Sequence, residues 1–427
     1  MPVATARIGL ACLLMVASTV VWRRGEVFAG SVDPVVLGKA LCALLALVLA
    51  FIAAQTAGAD RQRLGTGTLW LLGIVLVGSV LGALEHGTLV ASAVAAARVA
   101  VLGATVFFLS RAAPALQVLR AAVASCGLVA AFAAATGIPS LLGGRFFGGI
   151  PPLHPNGLAL LAGVVVLWAA WRTVLGEARW RHALLGGGYL AVVWLTGSRT
   201  GLLMLALALV VMALHLRRPR VGLVVGGLVA VAVGSVVVVA TGAVGGFVER
   251  DGVGTSTLES RFIAWSAAQS WAESWWQWVF GGGLSVKYIP VEGQWWDEQL
   301  LDSSWVSALV QAGLLGLATA GTWAMWTGLG ALRAPRPHRV LCLGLLTFLL
   351  GRSLLESGLF DATPEFLLFI AVSLLVERGS RADLQEDLVA GPVESDRRAR
   401  SVGRAAERSA PRAGSVVGSA GSVSGAD

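Results

Sequence analysis

Apolar runs of roughly bilayer length, separated by short polar stretches, recur along most of this chain. They predict helices over about 6–22, 35–56, 68–84, 88–110, 114–136, 156–175, 182–197, 200–216, 220–243, 305–331, 339–355 and 363–377, with ends set to within about 2–4 residues. The runs mix Leu, Ala, Val and Gly and lack the strict alternation of a membrane barrel. In hydrocarbon, helices of this composition satisfy their own backbone N–H and C=O groups. The expected fold class is therefore all-α, a polytopic transmembrane helical bundle of about twelve helices. No small-residue cleavage site precedes Trp22-Arg23-Arg24, so the first run reads as a helix and not a signal peptide.

Composition agrees: 56% of the 427 residues are hydrophobic and 13% charged, which excludes an ordinary soluble domain. The net charge of +8 is unevenly spread. Arg7, Arg61, Arg63, Arg111, Arg172, Arg179, Arg181, Arg217, Arg218, Arg220, Arg333, Arg336 and Arg339 share one side with only Asp60 and Glu177. An excess of arginine marks the cytoplasmic side, which puts both termini there. The basic balance is thus topological and points to no nucleic acid. The expected domains are a transmembrane domain, 1–377, and a cytoplasmic tail, 378–427, whose Arg, Ser, Gly, Ala and acidic residues predict disorder.

The one long stretch before the tail is an outer, periplasmic-side loop at about 245–304. In or just after it lie Trp265, Trp271, Trp275, Trp276, Trp278, Trp295, Trp296 and Trp305, half of the chain's 16 tryptophans, which argues against disorder. Leu258 to Phe280 reads as one interfacial helix along the membrane surface, ended by Gly281-Gly282-Gly283. The indoles suit a belt at headgroup level, or a platform for sugar rings or a polyisoprenoid chain, with Trp265 among its members.

Arg145, Arg199, Arg261 and Arg352 are the arginines singled out on the outer side. Each alone can snorkel to lipid headgroups; converging, their guanidinium forks suit a diphosphate without a metal. Arg98 lies near the middle of its span, where an unpaired charge costs at least about 2.5–3.5 kcal/mol, so it should face protein or water as a structural or a ligand-binding group. Cys12, Cys42, Cys126 and Cys342 lie inside spans as packing residues, and the five histidines are dispersed. The sequence has no P-loop, zinc spacing or nucleophile elbow, so no metal, cofactor or ATP is expected.

Three motifs carry a resemblance. His154-Pro155-Asn156 opens a helix, Leu195-Thr196-Gly197-Ser198-Arg199-Thr200-Gly201 joins two helices, and Arg261-Phe262-Ile263-Ala264-Trp265 lies in the long loop. Asp302-Ser303-Ser304-Trp305 and Gln311-Ala312-Gly313-Leu314-Leu315-Gly316 follow, then Arg352 through Phe366 with Glu356-Ser357-Gly358-Leu359-Phe360-Asp361. In order, spacing and sidedness, residues 140–375 resemble the O-antigen ligase and polymerase superfamily of bacterial membrane glycosyltransferases.

The resemblance implies an undecaprenyl-pyrophosphate-linked glycan donor, a glycan or glycolipid acceptor, and metal-independent transfer at the outer face of the bacterial cytoplasmic (inner) membrane. It implies that Arg199 and Arg261 hold the pyrophosphate; Arg145, His154, Asn156, Arg352, Glu356 and Trp265 are the residues expected to bind substrate. Where ligases of this superfamily carry a His-Asn pair, this chain has Asp302-Ser303. Asp302 is the expected general base, with Glu259, Asp297 and Glu298 as alternatives, or else it caps the following helix. The departure weakens the ligase reading relative to a polymerase or another glycan transferase of the same superfamily. A transporter or flippase for a lipid-linked or anionic substrate and a non-catalytic envelope scaffold are the competing classes, although neither paired repeats nor broken helices are evident.

Overall fold

The structure, a computed structural model, describes residues 2–23, 33–57, 62, 64–175, 179–216, 256–291 and 297–377, without the side chains of 2–4 and 256–260. Helices dominate in chain order: α1 (Pro2–Thr19), α2 (Pro34–Thr56), α3 (Gly67–His86), α4 (Leu89–Ala112), α5 (Ala115–Gly137), α6 (Pro155–Leu175), α7 (Arg179–Thr196) and α8 (Arg199–Leu214). Next come α9 (Ser256–Gln269), α10 (Trp275–Phe280), the strands β1 (Tyr288–Pro290) and β2 (Glu298–Leu300), then α11 (Ser304–Arg333), α12 (Arg336–Ser353) and α13 (Pro364–Leu375). Eleven of the expected spans coincide with helices, while 220–243 lies outside the described residues, as do Trp295, Trp296 and the tail. Among the described residues, α2, α3, α4, α5, α6 and α11 are long and apolar enough to cross a membrane, so the chain is an all-α polytopic membrane protein.

Local signals set the helix starts. Asp33 accepts the Val36 N–H at 2.8 Å ahead of Pro34, and Ser198 accepts the Gly201 N–H at 3.2 Å. Thr363 does the same for Phe366 at 3.2 Å ahead of Pro364. Helix α13 is apolar almost all round, and every residue from Glu365 to Leu375 is buried. It forms the centre of the bundle, touching α1, α3, α4, α5, α11 and α12. On the outside, Leu37, Leu41, Leu44, Leu45, Val48, Phe51 and Ile52 of α2 are exposed, an apolar face suited to lipid. Small residues admit large neighbours between helices: Gly163 of α6 receives Phe348 of α12, and Gly344 of α12 receives Met212 of α8.

The expected single helix 258–280 is two. Ser274 stops the chain and starts α10 by accepting the Gln277 N–H at 3.1 Å. Helix α10 packs against α3 and α11, and Trp276 Nε1 donates to the Leu81 carbonyl at 3.1 Å. The Gly281–Gly283 turn then enters a break in α11. Gly313 has φ 66° and ψ −165°, so α11 is a broken helix, which the sequence did not disclose. Gly282 N and Gly283 N donate at 2.8 and 3.0 Å to the carbonyls of Val310 and Gln311, which a continuous helix would offer to residues 314 and 315. Irregular backbone between apolar helices needs such internal partners.

Beyond the turn, β1 and β2 pair antiparallel, with Ile289 opposite Gln299. Ala264 and Ala268, one turn apart on α9, pack with Ile289, Val291, Leu301 and Val310. The hairpin and α11 thus fix the angle of α9, and with it the position of Arg261.

Candidate functional site

Four segments meet at the end of the bundle where α6 and α11 begin and α12 finishes. Helix α9 supplies Arg261 and, one turn later, Trp265. Leu301 is buried in the hairpin cluster and its N–H donates to the Lys287 carbonyl at 3.0 Å, so the chain delivers Asp302 next to Arg261 just before α11. The turn after α12 contributes Glu356, and the first turn of α6 contributes Asn156.

Arg261 faces two carboxylates: Nε is 3.8 Å from Asp302 Oδ2, and Nη2 is 3.5 Å from Glu356 Oε1. Asn156 Nδ2 donates to the same Glu356 oxygen at 2.6 Å. Arg352 Nη2 donates to the Asn156 carbonyl at 3.0 Å. The Glu356 carbonyl in turn accepts Ser304 Oγ–H at 2.9 Å and Ser304 N–H at 3.2 Å. Backbone and side chain of Glu356 therefore tie α9, α6 and α11 together. Burial raises the Glu356 carboxyl above its ordinary range, opposed by Arg352, Arg261 and Asn156. Burial also raises Asp302, opposed by Arg261.

Asp302 does not cap α11. The N-cap residue is Ser303, which makes no side-chain capping bond, and the first N–H of the helix is taken by the Glu356 carbonyl. Of the alternative bases, Asp297 and Glu298 are exposed in the β2 region, and the side chain of Glu259 lies outside the described residues.

Arg352 is 2% exposed, and its Nε and Nη1 find no hydrogen-bond partner among the described residues. Its Nη1 lies 3.3 Å from where a Cβ on Gly201 would stand, so the guanidinium abuts the first turn of α8. Arg199 opens that helix and is exposed. Arg145 reaches the same corner: Nε donates to the Thr196 carbonyl at 3.4 Å, and its guanidinium lies 5.9 Å from the Phe147 ring. His154 stacks edge-on to Phe147 and accepts the Asn156 N–H at 3.4 Å through Nδ1.

Beside the charged cluster is a cavity of about 460 Å³ lined by Met204, Trp265, Ser303, Trp305, Gly351 and Leu355, among others. Trp305 Nε1 donates to Ser353 Oγ at 3.0 Å, whereas the buried Nε1 of Trp265 has no partner among the described residues. Trp275 by contrast is 70% exposed, in keeping with a belt position. Trp265 and Trp305 thus line the cavity, while Trp275 stands exposed.

The sequence did not reveal a second charged group. Lys287 and Asp361 form a close ion pair, and Arg98 of α4 acts electrostatically on Asp361. Burial alone would raise the Asp361 carboxyl, but Lys287, the Ala362 N–H and Arg98 hold it below the usual carboxylate range. Lys287 is one of only two lysines in the chain, the one signal that singles it out.

Among the described residues, no three His, Cys, Asp or Glu side chains cluster as metal ligands. No protein-family model and no curated protein sequence matches the chain.

Proposed function

We propose that this protein transfers a glycan from a polyprenyl diphosphate donor to a hydroxyl acceptor at the outer face of a bacterial cytoplasmic membrane. The pairing of Arg261 with Asp302 and Glu356, set beside the cavity lined by Trp265 and Trp305, carries the reading. A polyprenyl diphosphate needs this combination, a cationic fork for its phosphates and an apolar wall for its chain. The resemblance of residues 140–375 to O-antigen ligases and polymerases supports the same class. The arginines ending α4, α6 and α11 lie at the opposite helix ends from this cluster, which supports assigning it to the outer side and both termini to the cytoplasm.

In this reaction the acceptor oxygen bonds to the anomeric carbon of the donor as the bond from that carbon to the diphosphate oxygen breaks. The bonding pair leaves with the diphosphate, and the acceptor proton passes to Asp302. Arg261 and Arg199 stabilise the charge that grows on the leaving diphosphate, a type of contribution on the order of 3–4 kcal/mol per preorganised donor. Asn156 and Arg352 position Glu356 and the N-terminal turn of α6, while Arg145 and His154 border the sugar side.

The test is turnover of an undecaprenyl-pyrophosphate glycan by the purified protein. Arg199→Ala and Arg261→Ala should each lower turnover at least about 100-fold. Unchanged turnover removes their assigned roles. The break in α11 favours transport as the second reading, because discontinuous helices build many transporter sites. This break is filled by the chain's own Gly281–Gly283 turn. Movement of substrate into proteoliposomes without glycosidic bond formation would establish transport instead.

A further inference from the structure

The edge of Arg261 that would grip a phosphate is shared by two carboxylates. Nε and Nη2 form one two-pronged edge of a guanidinium, the geometry that takes a phosphate or carboxylate side-on. Here Nε faces Asp302 and Nη2 faces Glu356. Both contacts, 3.8 and 3.5 Å, are long beside the roughly 2.7–2.9 Å of a tight charge-assisted hydrogen bond. The carboxylates neutralise Arg261 without closing on it, so the edge remains exchangeable.

We propose that the donor diphosphate and the carboxylate pair Asp302–Glu356 compete for this edge of Arg261, so that donor binding releases both carboxylates and is coupled to uptake of one proton by Glu356, while Asp302 stays ionised and becomes more basic. The inference rests on the reading of Arg261 as a diphosphate grip. Glu356 faces Arg261 from α9, Arg352 from α12, Asn156 from α6 and Asp302 from the start of α11, with Glu365 of α13 electrostatically coupled. When a diphosphate takes Arg261, Glu356 keeps the Asn156 amide, which holds a carboxylic acid as readily as a carboxylate. Among the described residues, Arg261 is the one ion-pair partner of Asp302. Both then face added phosphate charge in a partly desolvated place, and both gain affinity for protons. The consequence for the reaction is timing. Asp302 becomes a strong enough base to take a sugar proton when the leaving group is already in its seat.

Linkage fixes the signs. If binding takes up protons, affinity falls as pH rises, and the same coupling strengthens protonation when the ligand is bound. A farnesyl diphosphoryl sugar is a suitable probe, because its two phosphodiesters do not titrate near neutral pH. Calorimetry on the full chain in nanodiscs, in buffers of different ionisation enthalpy, should show proton uptake and an affinity that weakens by up to about tenfold per pH unit. The Asp302→Asn/Glu356→Gln double variant keeps both side-chain shapes. It should bind the probe several-fold more tightly than the wild type at neutral pH, independently of pH, although it turns over less.

Buffer-independent heats with a pH-independent affinity in the wild type would overturn the competition and leave the Arg261 grip standing. So would weaker binding by a double variant that melts like the wild type. Unchanged affinity in Arg261→Ala would overturn both. The wild-type pH series needs no variant to fold.

Discussion

Arg352 Nη2 donates a 3.0 Å hydrogen bond to the carbonyl of Asn156, joining the end of α12 to the first turn of α6. The same guanidinium stands against Gly201 of α8 and acts electrostatically on Glu356 and Glu365. One buried cation thereby fixes three helix ends around the candidate site, and Gly201 leaves the room for it. Its role toward Arg261 is indirect: it holds Asn156, which holds Glu356.

Replacing Arg352 should therefore damage folding and turnover together. Arg352→Ala leaves carboxylates buried without their cation, a change that typically costs about 3–5 kcal/mol. Arg352→Lys keeps the charge but loses the planar fork that spans Asn156 and the α8 turn, so it should recover only part of that. Thermal melting in detergent and turnover, measured on the same preparations, check this; a lysine variant with full stability and full turnover contradicts it.

The Lys287–Asp361 pair makes a separate prediction, with a pH sign. The folded-state pKa of Asp361 is depressed, so its contribution to stability is complete above the ordinary carboxylate pKa and is lost as pH falls through the depressed value. Lys287→Ala leaves Asp361 with the Ala362 N–H and the field of Arg98 and should cost about 2 kcal/mol, below the 3–5 kcal/mol of a fully buried pair because Asp361 is partly exposed. The double variant Lys287→Met/Asp361→Leu should recover most of the loss and flatten the acid limb of stability. Melting temperature against pH for the three proteins decides it.

The glycine contacts between the long loop and α11 discriminate two kinds of glycine. Gly87 has φ 73° in open space, so Gly87→Ala should cost only the left-handed backbone penalty of about 1–2 kcal/mol. Gly281 has the same φ, but its added Cβ would stand 2.6 Å from the backbone nitrogen of Ala312; on Gly313 it would collide with the Val279 backbone. Gly281→Ala and Gly313→Ala must push α10 and the turn out of the break, exposing the carbonyls of Val310 and Gln311. Both should melt well below Gly87→Ala and yield less folded protein.

The sequence disclosed the helices because lipid makes the apolar period and the span length nearly sufficient. Of the residues it singled out, Arg261, Asp302, Asn156, Glu356, Arg352 and Trp265 stand together or on one cavity, though more than a hundred residues separate Asn156 from Arg261. Pairing was not legible. That Glu356 bonds Asn156 depends on the turn between α12 and α13, which carries no periodic signal. Nor was the break at Gly313, since the residues around it are as apolar as those of an unbroken helix, and the N–H groups that compensate for it come from thirty residues earlier. The division at Ser274 was missed because the aromatic run continues across it.

The cavity beside Trp265 gives the last prediction, which depends on what the donor's chain requires. Leu355 lines it next to Glu356, and half-buried side chains there leave about 460 Å³ free. A tryptophan at 355 would project a bulkier, rigid side chain into that volume. If the first isoprene units lie there, Leu355→Trp should raise KM for a long-chain polyprenyl donor by roughly tenfold or more, the cost of about two displaced methylenes at ~0.8 kcal/mol each. It should change KM little for a water-soluble sugar diphosphate that carries no chain, and kcat should hold for any donor that still binds. An equal rise for both donors would instead mean that the new indole has moved the charged cluster, and the cavity would lose its assignment to the lipid. Trp265→Ala, which enlarges the cavity and removes an aromatic wall, should act the other way on bulk while still weakening the long-chain donor, so the pair separates loss of space from loss of contact.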